Sequence, residues 1–179
     1  MQHGLRGGGA DAVCDGLGIK RDGLKGKRVA VIGSRGRGTR AVVAGFCEYG
    51  AGVTVYNRTM ERAESAWRDS SVRRLCRWMQ LAGGKADVYI NCTPIGMHPK
   101  VDASPMEAGD AFGPGVVVFD TIYNPVQTKL LRDAAAAGCV TIPGTEMFVR
   151  QGAAQFKLWT GEDAPLDVFR KVLGERLRG

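Results

Sequence analysis

An apolar run followed by glycines gives the first indication of the fold. Arg28-Val29-Ala30-Val31-Ile32 leads directly into the glycine-rich residues 33–38, and a helical pattern follows over residues 39–49. Because the run does not alternate between apolar and polar residues, it predicts a strand that is buried on both faces, as in a parallel sheet. The N-terminus of a helix placed after such a turn attracts anions through its backbone N–H groups and its dipole. This segment therefore predicts a strand–turn–helix unit with a phosphate site.

Further strands and helices are predicted in alternation along the chain. We expect strands at residues 53–56, 88–92, 116–120 and 140–142, a short strand near 72–76, and helices at 11–17, 59–68, 128–137, 146–160 and 166–177. Residues 1–10 are rich in glycine and are expected to form a loose start. Strands that alternate with helices indicate parallel βαβ units, and hence an α/β fold with a doubly wound, mainly parallel sheet.

Length and composition narrow the class of protein. The chain has 179 residues, of which 44% are hydrophobic, enough for one domain, or for one domain with a short appendage. No apolar run approaches the roughly 20 residues of a membrane span. The net charge of +7 suits a nucleic acid or a ligand that carries phosphate, but it is equally compatible with a basic surface that has no specific partner.

The cysteines indicate neither a metal site nor a disulfide framework. There are five, and no two have the C-x-x-C spacing: Cys14, Cys47, Cys76, Cys92 and Cys139. With only two histidines in the chain, a zinc site is not expected, and the odd count argues against a disulfide framework. The N-terminus has no apolar segment of the kind found in signal peptides, so the cytoplasm is the expected location.

The glycine-rich turn can be aligned with the dinucleotide-binding pattern G-x-G-x-x-G/A in two frames. The first runs from Gly33 to Gly38 and places Arg35 where the pattern has its second glycine. The second, Gly36-x-Gly38-x-x-Ala41, matches the letters but begins three residues later. An ordinary tight turn between strand and helix is the alternative to both. The candidate phosphate-binding residues are Gly33, Ser34, Gly36 and Gly38.

The end of the second predicted strand indicates which dinucleotide is bound. Folds that bind NAD place an acidic residue about 20 residues after the first glycine, where it binds the ribose 2′-hydroxyl. This chain has Asn57-Arg58-Thr59 there, and the first acidic residue is Glu61. A guanidinium suits the 2′-phosphate of NADP, and Arg62 follows one helical turn later. A solvated helix start without a ligand is the alternative.

Five segments together resemble the shikimate dehydrogenase family. They occur in the family's order: GLKGKRVAVIG, VTVYNRTMERAE, DVYINCTPIGM, DTIYNPVQTKLL and GTEMFVRQGAAQFKLWTG. The resemblance covers roughly residues 18–175, is weakest at 65–84, and is closest to the form fused to 3-dehydroquinate dehydratase. It implies a Rossmann-like NADP-binding domain over residues 19–179 with helices at its C-terminal end, preceded by a remnant of a linker or helix over residues 1–18.

The resemblance also implies roles for individual residues. In the family, the matching positions hold the 2′-phosphate (Asn57, Arg58, Thr59, Arg62), lie near the cofactor (Thr93), line the nicotinamide (Thr121, Gly144) and touch the substrate (Tyr123, Gln151). Without the family, Tyr123 is equally explained as part of a turn and Gln151 as a surface residue. Met147 and Phe148 are predicted to be core residues and not cofactor contacts.

Two departures from the family limit the expected activity. The glycine turn is one residue longer, with Arg35 at the second glycine position. The family's catalytic lysine and aspartate lie in an N-terminal substrate domain and at its junction, where this chain has His3-Gly4-Leu5. No catalytic residue and no metal ligand is therefore assigned in this chain.

The resemblance implies the NADP-binding domain of an oxidoreductase that reduces 3-dehydroshikimate to shikimate. Alone, this chain is expected to be catalytically incomplete, because the substrate would be held by a missing substrate domain. The alternative is a non-catalytic module that binds NADP or another protein. Nucleic-acid binding through the arginines of residues 58–77 and membrane attachment are not expected. Shikimate and quinate both remain open as the substrate.

Overall fold

The helices and strands alternate as the sequence predicts. The computed structural model describes residues 3–33, 36–67, 72, 74–77, 80–81, 85–107, 109 and 111–177. In chain order the elements are α1 (His3–Leu17), a 3₁₀ turn (Arg21–Leu24), β1 (Arg28–Ile32), α2 (Arg37–Glu48), β2 (Gly52–Asn57), α3 (Met60–Trp67), β3 (Arg74–Arg77), β4 (Val88–Asn91), β5 (Val117–Asp120), α4 (Lys129–Ala136), β6 (Val140–Ile142), α5 (Gly144–Thr160) and α6 (Leu166–Arg176).

The strands form one parallel sheet in the order β3-β2-β1-β4-β5-β6. The chain runs outward from β1 to β2 and β3, and then returns to the other side of β1 with β4. Ile32 at the end of β1 is in register with Tyr56 of β2 and with Asn91 of β4. In open α/β sheets, the crevice at such a reversal, outside the carboxyl ends of the strands, is where ligands bind. The prediction of a Rossmann-like, doubly wound sheet is confirmed.

The central strand β1 is buried on both faces, as its sequence predicts. Val29 and Val31 pack with Phe46 in one core cluster. Ile32 packs with Tyr89 in a second cluster on the other face. Alternate residues of the strand point to opposite faces of the sheet, so a continuous apolar run supplies both cores.

Helix α1 corrects the expectation of a loose start at residues 1–10, because the helix begins at His3. Ala10 and Val13 have no exposed surface and belong to the same core as β1. A Cβ added to Gly9 would lie 3.2 Å from Cε1 of Phe119, so glycine lets the helix approach the sheet. Packing against the sheet thus outweighs the low helix propensity of this glycine-rich segment. The division of the chain at residue 18 stays a prediction.

Residues 65–84, where the resemblance to the family is weakest, contain an edge strand. The short strand expected near residues 72–76 lies at Arg74–Arg77 and pairs with β2, with Leu75 opposite Val55. Helix α4 begins where expected, and Thr128 caps it by accepting a hydrogen bond from the Leu131 amide at 3.4 Å. Helix α5 begins at Gly144, two residues before its predicted start.

All five cysteines are free thiols. Across the described ranges, no group of three or more His, Cys, Asp or Glu side chains is placed to hold a metal ion. Among the same residues, no helix has both the length and the apolar character needed to cross a membrane.

Candidate functional site

The loops that follow β1, β2 and β4 meet at the carboxyl edge of the sheet. The Gly33 amide donates to the Tyr56 carbonyl at 2.8 Å, and the Cys92 amide donates to the Ile32 carbonyl at 2.9 Å. These bonds hold the loop after β1 between the other two. The geometry therefore fixes the entry to the glycine turn at the point where the strand order reverses.

Gly33 is the position of the turn that most clearly requires glycine. Its φ is +101°, and a Cβ there would lie 2.9 Å from Cγ2 of Thr93 and 3.1 Å from the Cys92 carbonyl oxygen. Both the positive φ and the close contact exclude a larger side chain. The absence of a side chain at Gly33 thus allows the turn to pack closely against the loop after β4.

Gly36 and Gly38 lie at the start of α2 and face open space. Gly36 has a φ of +104°, and a Cβ added to either glycine would meet no atom within 4 Å. Helix α2 begins at Arg37, and the N–H groups in the first turn of a helix lack intrahelical partners. Ser34 and Arg35 lie outside the described residues, as does the side chain of Arg37. The described part of the turn therefore leaves room for an anion at the helix N-terminus.

A hydrogen bond between a hydroxyl and a thiol joins the start of α2 to the loop after β4. The Thr39 side chain, 3% exposed, hydrogen-bonds to Cys92. Burial raises the pKa of the Cys92 thiol to about 12, and the bond with Thr39 opposes this shift. The thiol is protonated at neutral pH, so it acts here as a packing group and not as a nucleophile.

The end of β2 presents a cation and no carboxylate. Arg58 is exposed directly after the strand, and Asn57 and Thr59 are half-buried on either side of it. Asn57 Nδ2 donates to the Thr59 carbonyl at 2.6 Å, which closes the turn into α3. The three predicted residues therefore lie together, and Arg58 is the one with an exposed charge. The Arg62 side chain lies outside the described atoms.

Asn91 organises the loop after β4. It has no exposed surface, and its Oδ1 accepts from the Thr93 amide at 2.9 Å and from Thr93 Oγ1 at 2.7 Å. Its main-chain oxygen accepts from Thr121 Oγ1 at 2.8 Å and from the Thr121 amide at 3.0 Å. Both predicted threonines are thus held by one buried side chain and its backbone.

Asp120 links the same loop to the one after β5. Its Oδ1 accepts from Asn91 Nδ2 at 3.1 Å and from the Ile122 amide at 3.0 Å, and its Oδ2 accepts from Thr128 Oγ1 at 2.7 Å. Burial raises the pKa of the Asp120 carboxyl above its ordinary range, against the effect of these three hydrogen bonds. The carboxyl ends of β4 and β5 and the start of α4 are therefore joined through a single buried acid.

The start of α5 is packed directly on the backbone of the loop after β5. A Cβ on Gly144 would lie 2.4 Å from the Ile122 carbonyl oxygen. The next residue of that loop, Tyr123, is 47% exposed and pairs with Phe148 of α5, with ring centroids 5.4 Å apart. Gln151 is also exposed on α5.

One expectation about α5 is wrong. Met147 packs against the core, as predicted, but Phe148 does not belong to it and is 47% exposed beside Tyr123. The reason is that adjacent residues of a helix point in different directions: Met147 faces the core, and Phe148 faces Tyr123.

Two residues of the site, Asn91 and Asp120, are not among those predicted from the sequence. A signal for them exists, because each is the polar residue that ends a buried apolar strand, in VYIN and in VVFD. In a parallel sheet such residues gather at one edge, where ligands bind.

A cavity of about 650 Å³ beside α1 contains none of the predicted site residues. Its lining includes Asp11, Asp15, Arg21 and Arg150. Asp11 is paired with Arg21, and Asp15 with Arg150. These charges therefore stabilise the contacts between α1 and its neighbours.

Three comparisons relate this architecture to known proteins. The family model described as Shikimate 5′-dehydrogenase C-terminal domain matches residues 144–173. The shikimate dehydrogenase (NADP(+)) of Methanosarcina mazei is 42% identical over an alignment 163 residues long, which covers 87% of this chain and 58% of that protein. A crystal structure of a shikimate dehydrogenase in complex with NADP+ superimposes with a TM-score of 0.83 and is 29% identical in sequence. The match covers 97% of this chain and 61% of the chain in that crystal structure.

A further crystal structure, of shikimate 5-dehydrogenase from Thermus thermophilus in complex with NADP(H) and shikimate, has a TM-score of 0.79 and 29% identity. The match covers 96% of this chain and 62% of the chain in that crystal structure. The chain thus spans about three-fifths of the length of the relatives that it matches.

Proposed function

We propose that this chain is the C-terminal, cofactor-binding domain of a shikimate dehydrogenase. It would bind NADP(H) in the crevice outside β1, β2 and β4. The single observation that carries the proposal is the exposed Arg58 at the end of β2, in a position that lacks an acidic residue. A guanidinium there favours a ligand with a 2′-phosphate, whereas a carboxylate would repel it.

The residues of the crevice fit the pyrophosphate of such a ligand. Gly36 and Gly38 carry no side chain and contact nothing within 4 Å of where a Cβ would be, so the backbone at the start of α2 is accessible. Asn57, Arg58 and Thr59 would hold the 2′-phosphate side, and Gly33 and Ser34 would complete the turn. Arg62 lies one helical turn beyond Arg58 and would add a second cation.

The nicotinamide end is proposed to lie between the loops after β4 and β5. Thr93, Thr121 and Gly144 would form its surroundings. When bound, the reduced cofactor supplies a hydride. The chain's own contribution is to bind and orient: the buried pair Asn91 and Asp120 fixes both loops, and the packing of Gly144 on Ile122 fixes the start of α5.

The proposed reaction is the NADPH-dependent reduction of 3-dehydroshikimate to shikimate, by an NADP-dependent oxidoreductase of which this chain is the cofactor-binding part. Tyr123 and Gln151 are both exposed and would form one wall of the substrate site. Reduction of a carbonyl also needs a proton donor within hydrogen-bond reach. In the family, that donor comes from the substrate domain, so we propose that this chain needs such a domain for turnover.

Replacing Arg58 with alanine tests the proposal. Loss of hydrogen bonds to a charged group costs about 1.5–3 kcal/mol, so Arg58→Ala is expected to weaken NADP+ binding by roughly 10- to 100-fold. NAD+ has no 2′-phosphate, so its affinity is expected to change by less than about twofold. Isothermal titration calorimetry with both dinucleotides measures this directly.

Arg132→Ala is the matched control, because Arg132 is an exposed arginine on α4 that donates to the Gln127 carbonyl. It is expected to leave both affinities unchanged. If Arg58→Ala weakens NAD+ and NADP+ binding by the same factor, Arg58 does not recognise the 2′-phosphate.

A further inference from the structure

We propose that Thr93 and Thr121 determine which group of the ligand lies against them, because both of their hydroxyl protons are already taken by Asn91. The two threonines then offer hydrogen-bond acceptors and select a ligand group that donates. This rests on the proposed function: the donating group of NADP is the primary carboxamide on its nicotinamide ring.

The hydrogen bonds assign each proton. Thr93 Oγ1 donates to Asn91 Oδ1 at 2.7 Å, and Thr121 Oγ1 donates to the Asn91 main-chain oxygen at 2.8 Å. Each hydroxyl carries one proton and two lone pairs. Both protons therefore point at Asn91, away from any ligand.

The orientation of the Asn91 amide is fixed by its other partners. Its Nδ2 donates to the Ile95 carbonyl at 3.2 Å and to Asp120 Oδ1 at 3.1 Å. A carbonyl oxygen only accepts, so a flipped amide would place one acceptor against another and would take the acceptor away from Thr93. Asn91 thus presents Oδ1 to Thr93 in the only arrangement that satisfies its neighbours.

A ligand at this site would contact the lone pairs that remain on the two threonine hydroxyls. Thr93 Oγ1 also accepts from the Ile95 amide at 3.2 Å and keeps one lone pair. Both threonines are partly exposed. A ligand group that accepts would have to break a bond to Asn91 first, whereas a group that donates breaks none. A carboxamide –NH₂ is a donor and therefore suits such an acceptor.

The test compares NADP+ with its 3-acetylpyridine analogue, in which a methyl group replaces the –NH₂. Calorimetry on the complete chain is expected to show that NADP+ binds about tenfold more tightly, since one net hydrogen bond is lost in the analogue. Thr121→Val is expected to weaken NADP+ binding and leave the analogue's affinity unchanged, so that the tenfold ratio falls toward one. Thr121→Ser keeps the hydroxyl and is expected to keep the ratio.

Thr160→Val is the matched control, because the Thr160 hydroxyl also donates to a main-chain carbonyl, that of Phe156, near the far end of α5. It is expected to leave both affinities unchanged. Equal affinity of the wild-type chain for the two dinucleotides would overturn the role of the threonines and leave the proposed function standing. Binding of neither dinucleotide would overturn both.

Discussion

Asp120→Ala is expected to lower the free energy of unfolding by about 3–5 kcal/mol. The substitution removes the acceptor of three donors: Asn91 Nδ2, the Ile122 amide and Thr128 Oγ1. Asp120 and Asn91 have no exposed surface, so water does not replace the lost partner. A buried donor left without an acceptor costs about 1–3 kcal/mol. Urea denaturation followed by circular dichroism measures the change.

Asp120→Asn separates the loss of the acceptor from the loss of the charge. The asparagine oxygen can still accept from Asn91 and Ile122, so this variant is expected to lose only about 1 kcal/mol. Asp133→Ala is the control outside the network, since Asp133 forms a partly exposed ion pair with Lys129 and ion pairs in contact with water contribute about 0–1 kcal/mol. A loss below about 1 kcal/mol for Asp120→Ala would show that the network does not hold the two loops.

Gly144→Ala is expected to destabilise the fold by about 3 kcal/mol, because the new Cβ would lie 2.4 Å from a backbone carbonyl oxygen. The obstacle is the Ile122 main chain, which is itself fixed by Asp120. The start of α5 would have to move away from the edge of the sheet, and Phe148 and Gln151 would move with it. Thermal unfolding with calorimetry gives the loss in stability.

Gly152→Ala is the matched control in the same helix. A Cβ there would lie 3.3 Å from the ring of Phe169, a side chain that can shift, and alanine favours the helix over glycine by about 1 kcal/mol. This variant is therefore expected to be as stable as the wild type or slightly more stable. If the two variants lose stability equally, the contact between Gly144 and Ile122 is not what places α5.

The sequence predicts the strands better than the start of the chain, for a physical reason. The run Val29–Ile32 is β-branched or small throughout, and burial of both faces leaves the same apolar signature in sequence and structure. Helix α1 depends on contacts that no local pattern shows. Its glycines are poor helix formers, and it is the burial of Ala10 and Val13 against the sheet that stabilises it.

The predicted site residues around Arg58 lie together because the turn after β2 is local in sequence. The partnership of Asn91 with Asp120 is different, since 29 residues separate them. It follows only once β4 and β5 are known to be neighbours in register. Phe148 shows the same limit: an aromatic residue at helical spacing predicts a core contact, and only the structure shows that it faces Tyr123 instead.

Titration of the purified chain with NADP+ and with NAD+ in a calorimeter decides whether the crevice binds NADP(H). We expect NADP+ to bind with one site per chain and at least about tenfold more tightly than NAD+, because only NADP+ carries the 2′-phosphate that we propose Arg58 recognises. Heats of dilution alone for both dinucleotides, or a preference for NAD+, would contradict it.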